Sequence, residues 1–247
     1  MYGKKGRIGL AVLDIDLCIE ADLRRVLPEG VEIHAARVIY PHEVTPEAMA
    51  QARRGLDLAV RSLAAVQPKA IVWSCTSGSF YNGKAGNDAL LKELAAASGG
   101  IPVATASSAL VAALRAMAIK RPAVGTPYSP QINALLRDFL EESGFRPLPI
   151  AAYFDRLVDD ITLQSVEPAE VAAFARGIDR PEADAVVISC TGLPTSGIVP
   201  MLEEELGKPV VTSNLAILWH ALEIGSISER PRHAGRLFAA NLVETGS

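Results

Sequence analysis

Aromatic residues are scarce in this 247-residue chain, at 5 %. Ala, Leu and Val carry most of its 49 % hydrophobic content. That balance suits helices packed on buried strands better than an all-β sandwich. Cysteine is scarcer still, with only Cys18, Cys75 and Cys190. An odd, sparse count excludes a secreted disulfide scaffold and points to a reduced, cytoplasmic protein. No run of five or more like charges occurs, and the formal net charge is −4. Nucleic acid and anionic membrane surfaces recruit basic clusters, so neither is an expected partner. The apolar stretch Ile8–Leu13 near the basic N-terminus is broken by Asp14 and Asp16. It is too short for the apolar region of a signal peptide or for a membrane span. SGGIP (Ser98–Pro102) and TSGIVP (Thr195–Pro200) lack the spacing of a dinucleotide or P-loop motif. His34, His42, His220 and His233 are scattered, and no Cys/His spacing matches a zinc site. No metal, nucleotide or other cofactor is therefore expected, and His220, inside LAILWHALEI, reads as a packed or surface helix residue.

What the chain does have is alternation of short apolar runs with amphipathic runs of helical length. In the first half the strands are expected at Arg7–Leu13, Val31–Ile39, Ala70–Ser74 and Pro102–Ala106. Helices are expected around Ile19–Val26, from the Thr45-Pro46-Glu47 start to about Ala65, and at Asn82–Ala97 and Ser107–Ala118. The order then starts again. Strands are expected at Pro122–Thr126, Arg146–Phe154, Ala185–Ser189 and Pro209–Ser213. Their helices run from Ser129-Pro130 to about Ser143, and over Glu167–Gly177, Ser196–Leu206 and Asn214–Ile224.

The repeat is visible in the residues themselves. AIVWSCTSGS matches VVISCTGLPTSG, with the cysteines 115 residues apart, and IPVATASSALVAAL matches KPVVTSNLAILWHAL. Near-continuous apolar strands separated by helices imply parallel sheets covered on both faces. The expected fold is α/β, with two pseudo-symmetric doubly wound lobes of four parallel strands each and a site in the cleft between them. Residues 1–118 would form the first lobe, rejoined by 225–247, and residues 119–224 the second. Apolar surface on helices such as Val111–Met117 would allow a homo-oligomer.

In open α/β sheets ligands bind at the carboxyl ends of strands. Cys75 and Cys190 both stand at such an end, followed by Thr76-Ser77-Gly78-Ser79 and by Thr191-Gly192. A tight turn there presents backbone N–H groups, which hold a carboxylate and can lower a thiol pKa toward neutrality. A single strand-end cysteine is usually packing. Two at equivalent repeat positions, each followed by Thr, point instead to paired chemistry. Cys18 has no repeat partner and reads as packing. Ser77 lacks the G-x-S-x-G context of a hydrolase nucleophile. The Asp155, Asp159 and Asp160 cluster reads as capping or solvating a loop.

The Cys-Thr pair in each half, the twofold βα repeat and SFYNG (Ser79–Gly83) resemble the aspartate/glutamate racemase superfamily. The resemblance runs from Ile8 to about Arg236 and is strongest to the branch of maleate cis–trans isomerases, arylmalonate decarboxylases and the ectoine-utilization protein. It implies a cofactor-independent isomerase or racemase acting on a small carboxylate, with Cys75 and Cys190 as the catalytic pair. It also implies that Thr76, Ser77, Thr191 and Gly192 bind that carboxylate or the developing enediolate, that Tyr128 contacts it, and that Asp160 lies near a substrate-contacting position. Arylmalonate decarboxylases carry glycine where Cys75 stands, so two thiols favour isomerisation over a lyase reaction. Maleate isomerases have Pro-Ser-Ser-Asn after the first strand, where this chain has Leu13-Asp14-Ile15-Asp16. Asp16 would repel a second carboxylate and suits a substrate ammonium or amide. A non-catalytic carboxylate-binding protein is the alternative of another class; it would need N–H donors but no thiols.

Overall fold

The computed structural model describes residues 2–41, 46–154 and 158–239. The cap expected at Thr45, His42 and Asp155 lie outside these residues. The first sheet contains β1 (Gly6–Leu13), β2 (Val31–Val38), β3 (Ala70–Trp73) and β4 (Val103–Thr105), all parallel, in the order β2-β1-β3-β4. The second contains β5 (Pro122–Thr126), β6 (Ala151–Ala152), β7 (Ala185–Ile188) and β8 (Val210–Thr212), parallel again, in the equivalent order β6-β5-β7-β8. The central strands β3 and β7 are buried at every residue, as their unbroken apolar sequences require.

Helices α1 (Ile19–Arg24), α2 (Pro46–Ala64), α3 (Thr76–Phe80), α4 (Gly83–Ala97) and α5 (Ala106–Ala116) accompany the first sheet in chain order. The second half adds α6 (Pro130–Glu142), α7 (Asp160–Gln164), α8 (Pro168–Ile178), α9 (Val199–Leu206) and α10 (Ser213–Ile224). Their starts follow capping chemistry. Ser129 Oγ accepts from Ile132 N in front of Pro130, and Thr105 and Thr212 accept from Ser108 N and Leu215 N at equivalent points of the repeat.

Helices α5 and α10 lie together between the sheets. Ile217, Leu218, Ala221 and Leu222 of α10 are buried with Ile8, Leu10 and Val72 of the first sheet. Leu110, Val111, Ala113 and Leu114 of α5 are buried with Val124, Val186 and Val210 of the second. Within the stretch Val111–Met117, Val111, Ala113 and Leu114 are covered from within the chain, where the helix fills the seam between the halves, while Ala112, Ala116 and Met117 stay partly exposed. Beyond α10 the chain meets both halves in turn. Ile227 packs against β1 at Gly6, whose added Cβ would stand 2.5 Å from Ile227 Cδ1. Arg236 then binds Glu203 and Gly207 at the end of α9.

The extended run expected at Arg146–Phe154 pairs in β6 over only two residues. Arg146 N and Leu148 N do reach Lys120 O and Pro122 O beside β5. Pro147 and Pro149, which have no N–H, fill the alternate positions and face away from the sheet, which confines this run to an edge.

Candidate active site

Central strands β3 and β7 each run one residue, Ser74 or Ser189, past their last ladder position before reaching a cysteine. Ser74 N and Ser189 N make the equivalent bonds, to Ala11 O at 2.8 Å and Gly125 O at 2.9 Å. Cys75 then caps α3 in extended conformation, its Sγ accepting from Gly78 N at 3.3 Å with Ser77 Oγ at 3.9 Å. A side chain at Gly78 would put its Cβ 2.9 Å from that sulfur. Glycine is what lets the N–H come this close. Cys190 Sγ accepts from Gly192 N at 3.4 Å. A Cβ on Gly192 would meet Leu163 Cδ2 at 2.8 Å and Gln164 Cγ at 3.1 Å, so α7 rests on the turn that presents Cys190.

Each cysteine turn is held from behind by the helix that follows the next strand. Ser107 Oγ donates to Thr76 O and Asn214 Nδ2 to Thr191 O, both at 3.3 Å. Ser107 and Asn214 are counterparts in the aligned repeat. The signal for them was present in ATASS and VTSNL, and motif reading, fixed on the cysteines, passed over it. The halves also touch at the site itself, through Thr76 Oγ1 and Ser213 Oγ at 3.2 Å. Tyr128 follows β5 in a turn fixed by Thr126 Oγ1, which accepts from Tyr128 N at 3.1 Å, and by Asn133 Nδ2, which donates to Tyr128 O at 3.3 Å. Its hydroxyl reaches Cys190 and Thr76.

All eight residues singled out in the sequence, Asp16, Cys75, Thr76, Ser77, Tyr128, Cys190, Thr191 and Gly192, line one cavity. Its free volume, open mouth included, is about 710 Å³. Leu13, Ile15, Ile132, Val158 and Leu163 add apolar lining to the cavity. Sequence reasoning missed Gln164, which also lines it, because α7 is five residues long and carries no periodic signal. Within the Asp cluster, Asp159 caps α7 by accepting from Thr162 N at 2.9 Å, while Asp160 lines the cavity.

Burial of the thiols works against the lowering expected from the turn N–H groups. Burial pushes Cys75 up to about 11 and Cys190 up to about 12. The Gly78 and Gly192 N–H groups, Ser77 and Tyr128 pull the other way, as the turn geometry suggested, but desolvation outweighs them. Asp16 adds to the rise at both sulfurs, and Asp160 does so at Cys75. Burial likewise holds Tyr128 well above its usual value.

Asp16 does more than face the cavity. Its Oδ1 accepts from Cys18 N and Ile19 N, both at 2.9 Å, and so starts α1, and Thr191 binds the same carboxylate. Arg37 Nη1 donates to Asp16 O at 2.7 Å and fixes the loop. Burial raises the Asp16 pKa against these bonds. His220 stacks on Trp219, and burial lowers its pKa to about 4, which leaves it a neutral packed histidine. Among the described residues no group of three or more His, Cys, Asp or Glu is placed to hold a metal, and no helix is long and apolar enough to cross a membrane.

The family model for arylmalonate decarboxylase matches residues 9–238 of this chain. The chain is 37 % identical to arylmalonate decarboxylase from Bordetella bronchiseptica over 66 % of this chain and 68 % of that protein. It is 28 % identical to maleate isomerase from Nocardia farcinica, over 98 % of both. The solved structure of a Cys-to-Ser mutant of the Nocardia farcinica maleate cis–trans isomerase, with a covalently bound succinylcysteine intermediate, superposes with a TM-score of 0.84. Identity to it is 26 %, with 94 % of this chain and 98 % of that one covered.

Proposed function

This chain belongs to the arylmalonate decarboxylase family, and from that membership we propose that it is a cofactor-independent isomerase using Cys75 and Cys190 on opposite faces of a small carboxylic acid. The observation that carries the proposal is the pair of thiols at equivalent strand ends, both lining one cavity. The substrate carboxylate is taken by the polar pole of that cavity, formed by the turns at Thr76-Ser77 and Thr191-Gly192 and by Tyr128. One cysteine, as thiolate, removes the proton α to the carboxylate, and the electron pair moves into an enediolate. Each preorganised donor aimed at that charge is worth about 3–4 kcal/mol. The opposite thiol gives its proton to the other face and becomes the thiolate. The product is the mirror-image acid, and the sulfurs have exchanged roles. A raised thiol pKa makes the conjugate thiolate a stronger base toward a weakly acidic C–H but leaves little thiolate at neutral pH, so this mechanism needs substrate binding to lower it. Decarboxylation needs only one proton donor, which leaves the second thiol without a role.

The succinylcysteine in the Nocardia farcinica relative favours a second reading, covalent addition. There a thiolate forms an S–C bond to a C=C conjugated with the carboxylate, the remaining C–C bond rotates, and the S–C bond breaks. Proton NMR in D₂O separates the two, run on maleate, D- and L-aspartate, D- and L-glutamate, hydantoins and phenylmalonate. Deuterium washing into a Cα–H supports proton transfer between thiols. Conversion of maleate to fumarate without carbon-bound deuterium supports addition and rotation. Loss of CO₂ from phenylmalonate with no isomerisation would replace both with a lyase, and binding without turnover would leave a carboxylate-binding protein. Under either isomerase mechanism Cys75→Ala and Cys190→Ala each abolish turnover; full activity in either variant rejects the pair.

A further inference from the structure

Helix α7 is five residues long and buries none of them fully, yet it forms part of the cavity wall. Gln164, its last residue, reaches across to the opposite half of the chain. Its Oε1 accepts from Leu17 N at 2.6 Å, and its Nε2 donates to Ile15 O at 3.1 Å. The same Nε2 donates to Asp160 O at 3.0 Å and so closes the helix on itself. Ile15 and Leu17 flank Asp16, whose carboxylate binds Thr191. The Gln164 side chain also lies against Gly192, next to the Cys190 turn. One side chain therefore joins three parts: its carboxamide bonds α7 and the loop that carries Asp16, and its Cγ rests on the turn that presents Cys190. Only a group that accepts and donates at once can make all three bonds. Glutamate supplies the acceptor alone, and asparagine is one methylene short.

We propose that Gln164 is a positioning residue that closes the thiol cavity between the two halves of the chain and keeps water from Cys75 and Cys190. The proposal rests on this cavity being the reaction site, but its primary test does not depend on knowing the substrate. Gln164→Met fills the same volume without the bonds, and Gln164→Asn keeps the carboxamide but falls one methylene short of its partners; both are neutral, so neither adds charge to the cavity lining. Iodoacetamide alkylation of Cys75 and Cys190 is followed by peptide mass spectrometry, across pH, in the wild type and both variants. Circular dichroism and melting report the fold. The charged and titratable groups facing these sulfurs are Asp16, Asp160 and Tyr128, with Cys18 also near Cys190, and neither variant replaces any of them. The expected result is folded variants in which both thiols alkylate at least about tenfold faster, the gain from a thiol pKa lower by one unit, with the pH profile shifted to lower pH by the same amount. On whichever carboxylate turns over, KM rises more than kcat falls.

Folded variants with the wild-type alkylation rates and pH profile overturn the proposal. So does loss of fold in both variants, which would make Gln164 a structural strut. If only Gln164→Met fails to fold, Gln164→Asn decides by the same criteria. Absence of turnover in the wild type would sink the isomerase reading and leave the alkylation result standing.

Discussion

Asp22 is an acid in the first turn of α1 whose importance lies far along the chain. It is 4 % exposed, and its carboxylate is surrounded by donors from the second half. Thr195 N and Ser196 N approach at 3.1 Å and 3.0 Å, Ser196 Oγ at 2.8 Å and Asn214 Nδ2 at 2.8 Å. Thr195 and Ser196 belong to the loop leaving Cys190, and Asn214 also holds Thr191 O. Asp22 thus fixes the back of the Cys190 turn without lining the cavity. Asp22→Ala would leave several buried donors without a partner, at about 1–3 kcal/mol each, for a total loss of about 3 kcal/mol or more. Asp22→Asn keeps one acceptor oxygen and should lose less. Urea denaturation checks both, and a wild-type midpoint in Asp22→Ala would show that water replaces the carboxylate. Nothing local marks Asp22, because its partners are 173 to 192 residues away. The cysteines were legible for the opposite reason: each sits in a short local pattern that the chain states twice.

At the scale of elements, the strands and most helices follow directly from apolar runs and caps, so β5 and the start of α6 fall where Pro122–Thr126 and Ser129-Pro130 indicate. The short helices α3 and α7 escape, since five residues do not establish a period and tertiary contacts hold them. Element spacing is set in part by glycine. Gly125 sits in β5 under α8, and an added Cβ would stand 2.5 Å from Phe174 Cε1 and 2.8 Å from Ile178 Cδ1. No side chain fits without moving the helix off the sheet. Gly125→Ala should cost about 1–3 kcal/mol through overpacking. In a chain of this size that lowers Tm by about 2–4 °C for each kcal/mol. A calorimetric Tm equal to wild type would mean that Phe174 swings aside freely. The repeat predicted two like sheets but not the seam, in which α5 and α10 each serve both cores. Two helices with the same pattern of apolar residues do not announce which sheet they cover.

Thiol acidity belongs to the whole molecule. The turn at each cysteine supplies N–H donors that lower a pKa, and that much is readable from Cys-Thr followed by glycine. Burial comes from both halves closing on the cavity, and it carries the opposite sign and the larger weight. Cys18, Cys75 and Cys190 are all raised from an unfolded value of 9.0, Cys75 to about 11 and Cys190 to about 12. For a group raised in the fold, the native state holds its proton after the unfolded chain has released it. The stabilisation is complete below pH 9.0 and is lost as pH climbs through the folded values. Each unit of rise withdraws about 1.4 kcal/mol. Stability measured by urea denaturation should therefore fall between pH 9 and 11, and less steeply in a Cys75→Ala, Cys190→Ala double variant, which carries the same lysines and tyrosines. Equal slopes would mean that the two thiols titrate alike in the folded and unfolded chain. The same burial sets reactivity. Alkylation of wild-type Cys75 should climb about tenfold per pH unit and level off only near 11, because thiolate is the reacting species. A plateau beginning near pH 7 would instead show that the turn donors prevail over desolvation, and the resting protein would hold a ready thiolate. A plateau near 11 means that, for the proposed reaction, the free protein holds little thiolate and substrate binding has to generate the base.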